Sequence, residues 1–146
     1  MFTFDHSLKL PINIKKLFEI LTDFTLIKEL APDQVRECKV IQENNEETIT
    51  EETLVFNTYF KKQKINQKTS HTIVPPYTII NKTIDGPFKD SILRITLEDE
   101  NETTNIILNG KFKIPLKYSV LSPIIKKYYK MYSVSLFYKI NNKYNI

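Results

Sequence analysis

The chain has 146 residues, 41% hydrophobic and 26% charged, with a net charge of +4. That composition suits a folded domain with a real core and excludes wholesale disorder. Two glycines, two histidines and one cysteine exclude a glycine-rich phosphate loop, a closed four-ligand zinc site and an internal disulfide.

Residues 2–10 alternate: Phe2, Phe4, His6, Leu8 and Leu10 share one parity and Thr3, Asp5, Ser7 and Lys9 the other. This predicts a strand with one buried face, ended by Pro11. Residues 13–30 read as helix. Asn13 is the expected cap, with Ile14, Leu17, Phe18 and Leu21 at helical spacing. Asp23 is expected to cap a second short helix holding Phe24, Ile27 and Leu30, closed by Pro32. From Val35 to Ile114 short runs rich in Ile, Thr, Val and aromatics are broken by turn residues. The breaks fall at Asn44-Asn45, around Asn57, at Pro75-Pro76, at Asp85-Gly86-Pro87 and at 99–102, and predict about six strands in series. Residues 119–140 read as a long helix with Pro123 in its first turn and a stripe of Leu121, Ile125, Tyr128, Tyr132, Ser135 and Leu136. A seven-stranded antiparallel sheet then has one face to cover, and one long helix leaves a cavity beneath it.

Charge is unevenly spread. Residues 1–102 hold 13 Lys+Arg against 17 Asp+Glu, whereas 103–146 hold eight lysines and no acid. Such asymmetry points to a surface that meets something anionic, or to a lysine-rich solvated face. Glu43, Glu46, Glu47, Glu51 and Glu52 straddle an expected hairpin and read as solvated, without the ligand spacing of a calcium loop. If 43–52 and the lysine-rich 61–68 are neighbouring strands, opposite charges face one another across the pair. No run reaches the ~20 apolar residues of a membrane span, and MFTFDHSLKL is not a signal peptide. A cytoplasmic protein is expected, peripheral at the membrane if the lysines dock there.

Several stretches carry a likeness in their order. Pro11 is followed by Leu17-Phe18 and Thr22-Asp23. Pro75-Pro76 is followed by Ile79-Ile80 and then by Asp85-Gly86-Pro87-Phe88-Lys89-Asp90. Ile95 and Leu97, Thr104-Asn105-Ile106, and a helix from Leu121 to Ile140 complete the series. Together they resemble the helix-grip fold of the START-like (SRPBCC) superfamily, which includes pollen allergens, polyketide cyclases and coenzyme Q-binding proteins. The chain lacks the tryptophans that many relatives carry. The resemblance implies one α+β domain over 1–146: a seven-stranded curved antiparallel sheet around a long C-terminal helix, with two short helices after the first strand.

Several residues are candidates for chemistry. His6 lies on the apolar parity of the first strand and is the one obvious acid/base group for a cavity. Asp5 points the other way and does not orient it. His71 stands on a strand whose position relative to His6 the sequence does not give. Cys38, with no assigned base, reads as a small apolar residue. No GxSxG elbow is present. Tyr128 and Tyr132, at i and i+4, are the expected ligand contacts on the helix, because tyrosine combines an apolar ring with a polar tip.

The expected cavity lining is Phe4, His6, Leu93, Ile95, Leu97, Leu108, Phe112, Tyr128 and Tyr132. Lys126, Lys127 and Lys130 are the expected membrane or anion contacts. The expected function is binding or transport of an apolar or amphipathic molecule: a lipid, quinone, isoprenoid or polyketide. The alternatives are a cyclase or dehydratase acting in the same cavity through His6, and a protein-interaction module using the basic C-terminal face. No cofactor and no metal are expected, and without a recognised motif nucleic acid is disfavoured as a partner. The oligomeric state is not legible.

Overall fold

The computed structural model describes residues 2–57 and 62–144. Strand β1 (Phe2–Leu10) is followed by helices α1 (Ile14–Thr22) and α2 (Ile27–Leu30). Six strands come next: β2 (Val35–Glu43), β3 (Glu47–Asn57), β4 (Lys62–Val74), β5 (Thr78–Asp85), β6 (Ile92–Glu100) and β7 (Thr103–Phe112). A 3-10 turn (Leu116–Leu121) leads into α3 (Ser122–Tyr144). The seven strands form one antiparallel sheet in the order β1-β7-β6-β5-β4-β3-β2. The architecture is the expected seven-stranded helix grip. The connection expected around Asn57 falls on residues 58–61, outside the described residues.

Alternation positions the core. On β1 Phe4, Leu8 and Leu10 are buried, and on the paired β7 Thr104, Ile106, Leu108 and Phe112 are buried opposite them. Gly110 pairs with Phe4. A Cβ there would stand 2.6 Å from Phe4 Cε1 and 2.9 Å from Phe112 Cε2, so only glycine lets those two rings stack at 5.7 Å across the strands. Phe112 stacks in turn on Tyr129 of α3, at 4.2 Å. The aromatic row ties the helix to the sheet.

Asn13 caps α1 as expected, its Oδ1 accepting from the Lys15 backbone N–H at 2.9 Å. Ile14, Leu17 and Ile20 turn the helix onto the core. Asp23 does not cap α2. It sits at the end of α1 and accepts a bond from Thr25 Oγ1, while α2 begins without a side-chain cap. The four-residue α2 buries no side chain completely. The long helix is rotated from the expected stripe. Ile125, Ser133, Phe137 and Ile140 are its buried residues, and Ser135 is exposed. The physical reason is that adjacent pairs such as Tyr128-Tyr129 and Leu136-Phe137 place apolar groups on both faces, which blurs the helical period.

The charge pairing across β3 and β4 is limited. Glu51 stands opposite Lys68, but Glu52 stands opposite Gln67, and Glu51 forms its ion pair with Lys39 of β2 at 3.6 Å.

Candidate functional site

The inner face of the sheet divides by chemistry. The β1, β7 and β6 side is apolar. On β3, β4 and β5 the same face carries Thr50 and Glu52, then Gln67, Thr69 and His71, then Asn81 and Thr83. Register makes these neighbours: Glu52 pairs with Gln67, Thr50 with Thr69, Thr69 with Thr83 and His71 with Asn81.

A cavity of about 190 Å³ lies between this face, α3 and the segment 23–30. Phe24, Leu26, Ile27 and Leu30 wall it on one side, Tyr129, Tyr132 and Leu136 on another, and Leu93, Ile95 and Phe112 from the apolar strands. Most of its polar groups stand on one wall, Glu52, Gln67, Thr69, His71, Asn81 and Thr83, while Asp23 and Ser133 line it from the other sides. An apolar chamber with polar groups gathered on one wall is the general form of a small-molecule site.

The polar wall is a connected chain of hydrogen bonds. Asn81 Nδ2 donates to the Leu93 carbonyl at 3.1 Å, which turns Asn81 Oδ1 toward His71 Nδ1 at 2.6 Å. His71 Nδ1 must therefore carry a hydrogen. His71 Nε2 meets Thr50 Oγ1 at 2.8 Å, and Thr50 Oγ1 meets Glu52 Oε1 at 3.0 Å. Thr69 Oγ1 donates to Glu52 Oε2 at 3.0 Å. Phe24 stacks on the His71 ring at 4.2 Å and screens it from water.

Burial sets the protonation. It pushes the Glu52 carboxyl up to about 7, against hydrogen bonds from Thr69, Thr50 and Gln67 that favour the carboxylate. It lowers His71, which the Asn81 bond partly offsets. Thr50 has one hydrogen to give. With His71 neutral, that hydrogen goes to Nε2, and Glu52 must donate to Thr50. With Glu52 ionised, Thr50 donates to it and a neutral His71 Nε2 is left without that hydrogen.

Two buried polar atoms in the chamber make no hydrogen bond within the described protein: Tyr132 Oη and Gln67 Oε1. Desolvation holds the Tyr132 hydroxyl well above its ordinary range, so it is a donor at any physiological pH. Cys38 is buried, its Sγ donates to the Phe24 carbonyl at 3.3 Å, and burial pushes its thiol up to about 12. It packs as a small inert side chain. Among the described residues no three His, Cys, Asp or Glu side chains converge as a metal site requires.

The expected lining divides. Leu93, Ile95, Phe112 and Tyr132 wall the chamber. Phe4, Leu97 and Leu108 do not: they are buried in the packed core on the β1, β7 and β6 side. His6 is half-buried opposite Leu108 at the sheet's β1 edge, away from the chamber. It fails as the cavity base because β1 lies at the far end of the sheet from the polar strands. Tyr128 points to a second, smaller core cluster around Ile65, Phe88 and Ile125, and donates to the Val55 carbonyl at 3.0 Å. Its neighbour Tyr129 faces the chamber instead. Lys126, Lys127 and Lys130 are exposed on α3.

Glu52, expected from the sequence to be solvated with the other acids of 43–52, is only 8% exposed. Its signal was parity: Glu52 shares its face with Leu54, and Thr69 and His71 share theirs with Ile65. Polar residues on both faces of β3 and β4 hid that alternation.

No family model matches the chain. The ribosome association toxin RatA of Rickettsia prowazekii is 28% identical over 131 residues, covering 88% of this chain and 86% of that protein. A START superfamily protein from Mycobacterium smegmatis superposes with a TM-score of 0.72 at 13% identity, covering 97% of this chain and 95% of the other. The Zhui aromatase/cyclase from a Streptomyces species gives 0.70 at 9% identity, covering 97% and 89%. A curved seven-stranded sheet closed by a C-terminal helix, together with these likenesses, gives the chain a START-like helix-grip fold.

Proposed function

We propose that the chain binds an apolar or amphipathic small molecule, of the lipid, quinone, isoprenoid or polyketide class, in the chamber between sheet and α3. One observation carries the reading: an apolar cavity whose polar groups gather on one wall, with Tyr132 Oη unsatisfied within it. Its volume of about 190 Å³ suits a ring-sized head or a short chain. The Tyr132 hydroxyl would donate to an oxygen of the ligand. Native mass spectrometry of the purified protein, followed by solvent extraction, tests this. A bound apolar compound with a polar oxygen is the expected result. An empty protein that also fails to bind members of these classes in titration overturns it.

In the enzymatic alternative the same wall supplies the chemistry, and the acid/base group is Glu52, relayed by Thr50 to His71, in place of His6. The fold neighbour that is an aromatase/cyclase motivates this alternative. Turnover of a polyketide-like substrate that is lost in Glu52→Gln and kept in His6→Ala would support it.

A second reading follows from the sequence relative, which is a ribosome association toxin. Eight lysines without an acid in residues 103–146 would suit ribosomal RNA. Co-sedimentation with ribosomes that is lost at raised salt supports that reading, and its absence at low salt sinks it.

A further inference from the structure

The turn that enters α3 has a feature the chamber does not use. Leu116 and Val120 are each 88% exposed. They are not on a loose tail: Ile114, Tyr118 and Leu121, their immediate neighbours, pack into the smaller core cluster. The turn is thus anchored on one side and holds two aliphatic side chains out on the other. Isolated exposed apolar residues are ordinary, but exposed lysines accompany these two along the chain, Lys117 between them and Lys126, Lys127 and Lys130 on the helix that follows. Among the described residues none of these four lysines forms an ion pair. Met131, 59% exposed, lies one turn beyond Lys127 on the outward stripe of α3, and Tyr138, 53% exposed, lies two turns further. The outer face of the helix is both basic and partly apolar.

We propose that this face docks the protein on an anionic lipid surface, with Leu116 and Val120 entering the headgroup layer and Lys117, Lys126, Lys127 and Lys130 meeting lipid phosphates. Lysines draw the face to an acidic membrane over a Debye length, and two aliphatic side chains already free of the core insert at little cost in structure. Among the described residues no helix can cross a membrane, so the association is peripheral. RNA fits the same lysines less well. Single-stranded RNA is held on aromatic faces, whereas the two most exposed apolar residues here are aliphatic.

The chain contains no tryptophan, so Leu116→Trp gives a single reporter at the turn. With vesicles of equal parts phosphatidylcholine and phosphatidylglycerol its emission should shift to the blue, and with pure phosphatidylcholine it should not. Co-sedimentation of the unmodified protein with the acidic vesicles should fall as salt rises. In the double variant Leu116→Asp, Val120→Asp it should weaken by about tenfold or more, with the melting temperature unchanged. No binding to acidic vesicles, an unshifted reporter, or binding indifferent to the double substitution overturns the proposal. So does binding to ribosomal RNA that survives the double substitution without any vesicle binding. The chamber plays no part in this test, so an empty chamber leaves the result standing.

Discussion

Glu52 and His71 are joined by one hydroxyl: Thr50 Oγ1 lies 3.0 Å from Glu52 Oε1 and 2.8 Å from His71 Nε2, fully buried beneath the chamber. A hydroxyl between an acid and an imidazole passes a proton from one to the other without moving a heavy atom. Thr50 has one hydrogen to give, so the charge on Glu52 decides whether His71 Nε2 keeps a donor. The Asn81 contact fixes the far end of the chain by turning its amide.

The stability of the protein should depend on pH through Glu52. The Glu52 carboxyl is raised in the folded state from 4.5 to about 7, so folded protein binds a proton that unfolded protein has released. The contribution to stability is full below about pH 4.5 and is lost as pH rises through about 7. The difference is worth about 3 kcal/mol. Glu52→Gln cannot ionise, and its amide can still donate to Thr50. The variant should match the unmodified protein in acid and exceed it by up to ~3 kcal/mol above neutrality. His71, lowered by burial, acts in the opposite sense, losing its contribution as pH falls. The variant should therefore still weaken in acid. Urea unfolding across the pH range checks both slopes, and a Glu52→Gln curve parallel to that of the unmodified protein would show that Glu52 is ionised in the fold.

Much of the fold was legible because its signals are local. Alternation in β1, the Asn13 cap, the prolines after β1 and near the start of α3, and turn residues between the strands are each read within a few positions. The polar wall was not legible for a reason of geometry. Glu52, Thr69, His71 and Asn81 are far apart in sequence, and each alone looks like an ordinary surface residue of a strand. Only the register Glu52 to Gln67 and His71 to Asn81 brings them to one face. Tyr129 lines the chamber beside Tyr132 where Tyr128 was expected, an orientation of α3 that a helix apolar on two faces does not specify.

Removing the bridge should be costly although the shape is kept. Thr50→Val preserves volume but leaves His71 Nε2 and Glu52 Oε1 without the shared hydroxyl. Two buried polar atoms then lose a partner, at a cost of about 1–3 kcal/mol each. Denaturant unfolding should show a loss in that range, and Glu52 should titrate higher still, because one bond favouring its charged form is gone. A loss below about 0.5 kcal/mol would mean that the hydroxyl is not shared as described.

Gly110 predicts a packing effect that reaches the chamber. A methyl group there meets the Phe4 and Phe112 rings at 2.6 and 2.9 Å. The rings must move apart, and Phe112 carries Tyr129 with it. Gly110→Ala should destabilise by about 1–3 kcal/mol. Because Phe112 and Tyr129 both line the chamber, ligand binding should weaken as well. Thermal unfolding with and without a bound apolar ligand separates the two effects.

Tyr132 sets stability against binding. Its hydroxyl is buried, and no protein group among the described residues bonds it. Desolvating an unpaired hydroxyl costs about 1–3 kcal/mol, so Tyr132→Phe should leave the ligand-free protein as stable or raise its stability by up to that amount. The ring keeps its stack against Tyr128, at 5.9 Å and nearly parallel, so the helix face is not disturbed. Affinity for a ligand whose oxygen meets that hydroxyl should fall, by about fivefold to a hundredfold if one hydrogen bond is lost. The two measurements together are decisive for the role of Tyr132. A variant that is more stable and binds worse marks the hydroxyl as a ligand contact kept at the expense of the fold, whereas one that is less stable and binds equally well places its partner within the protein and removes it from the site.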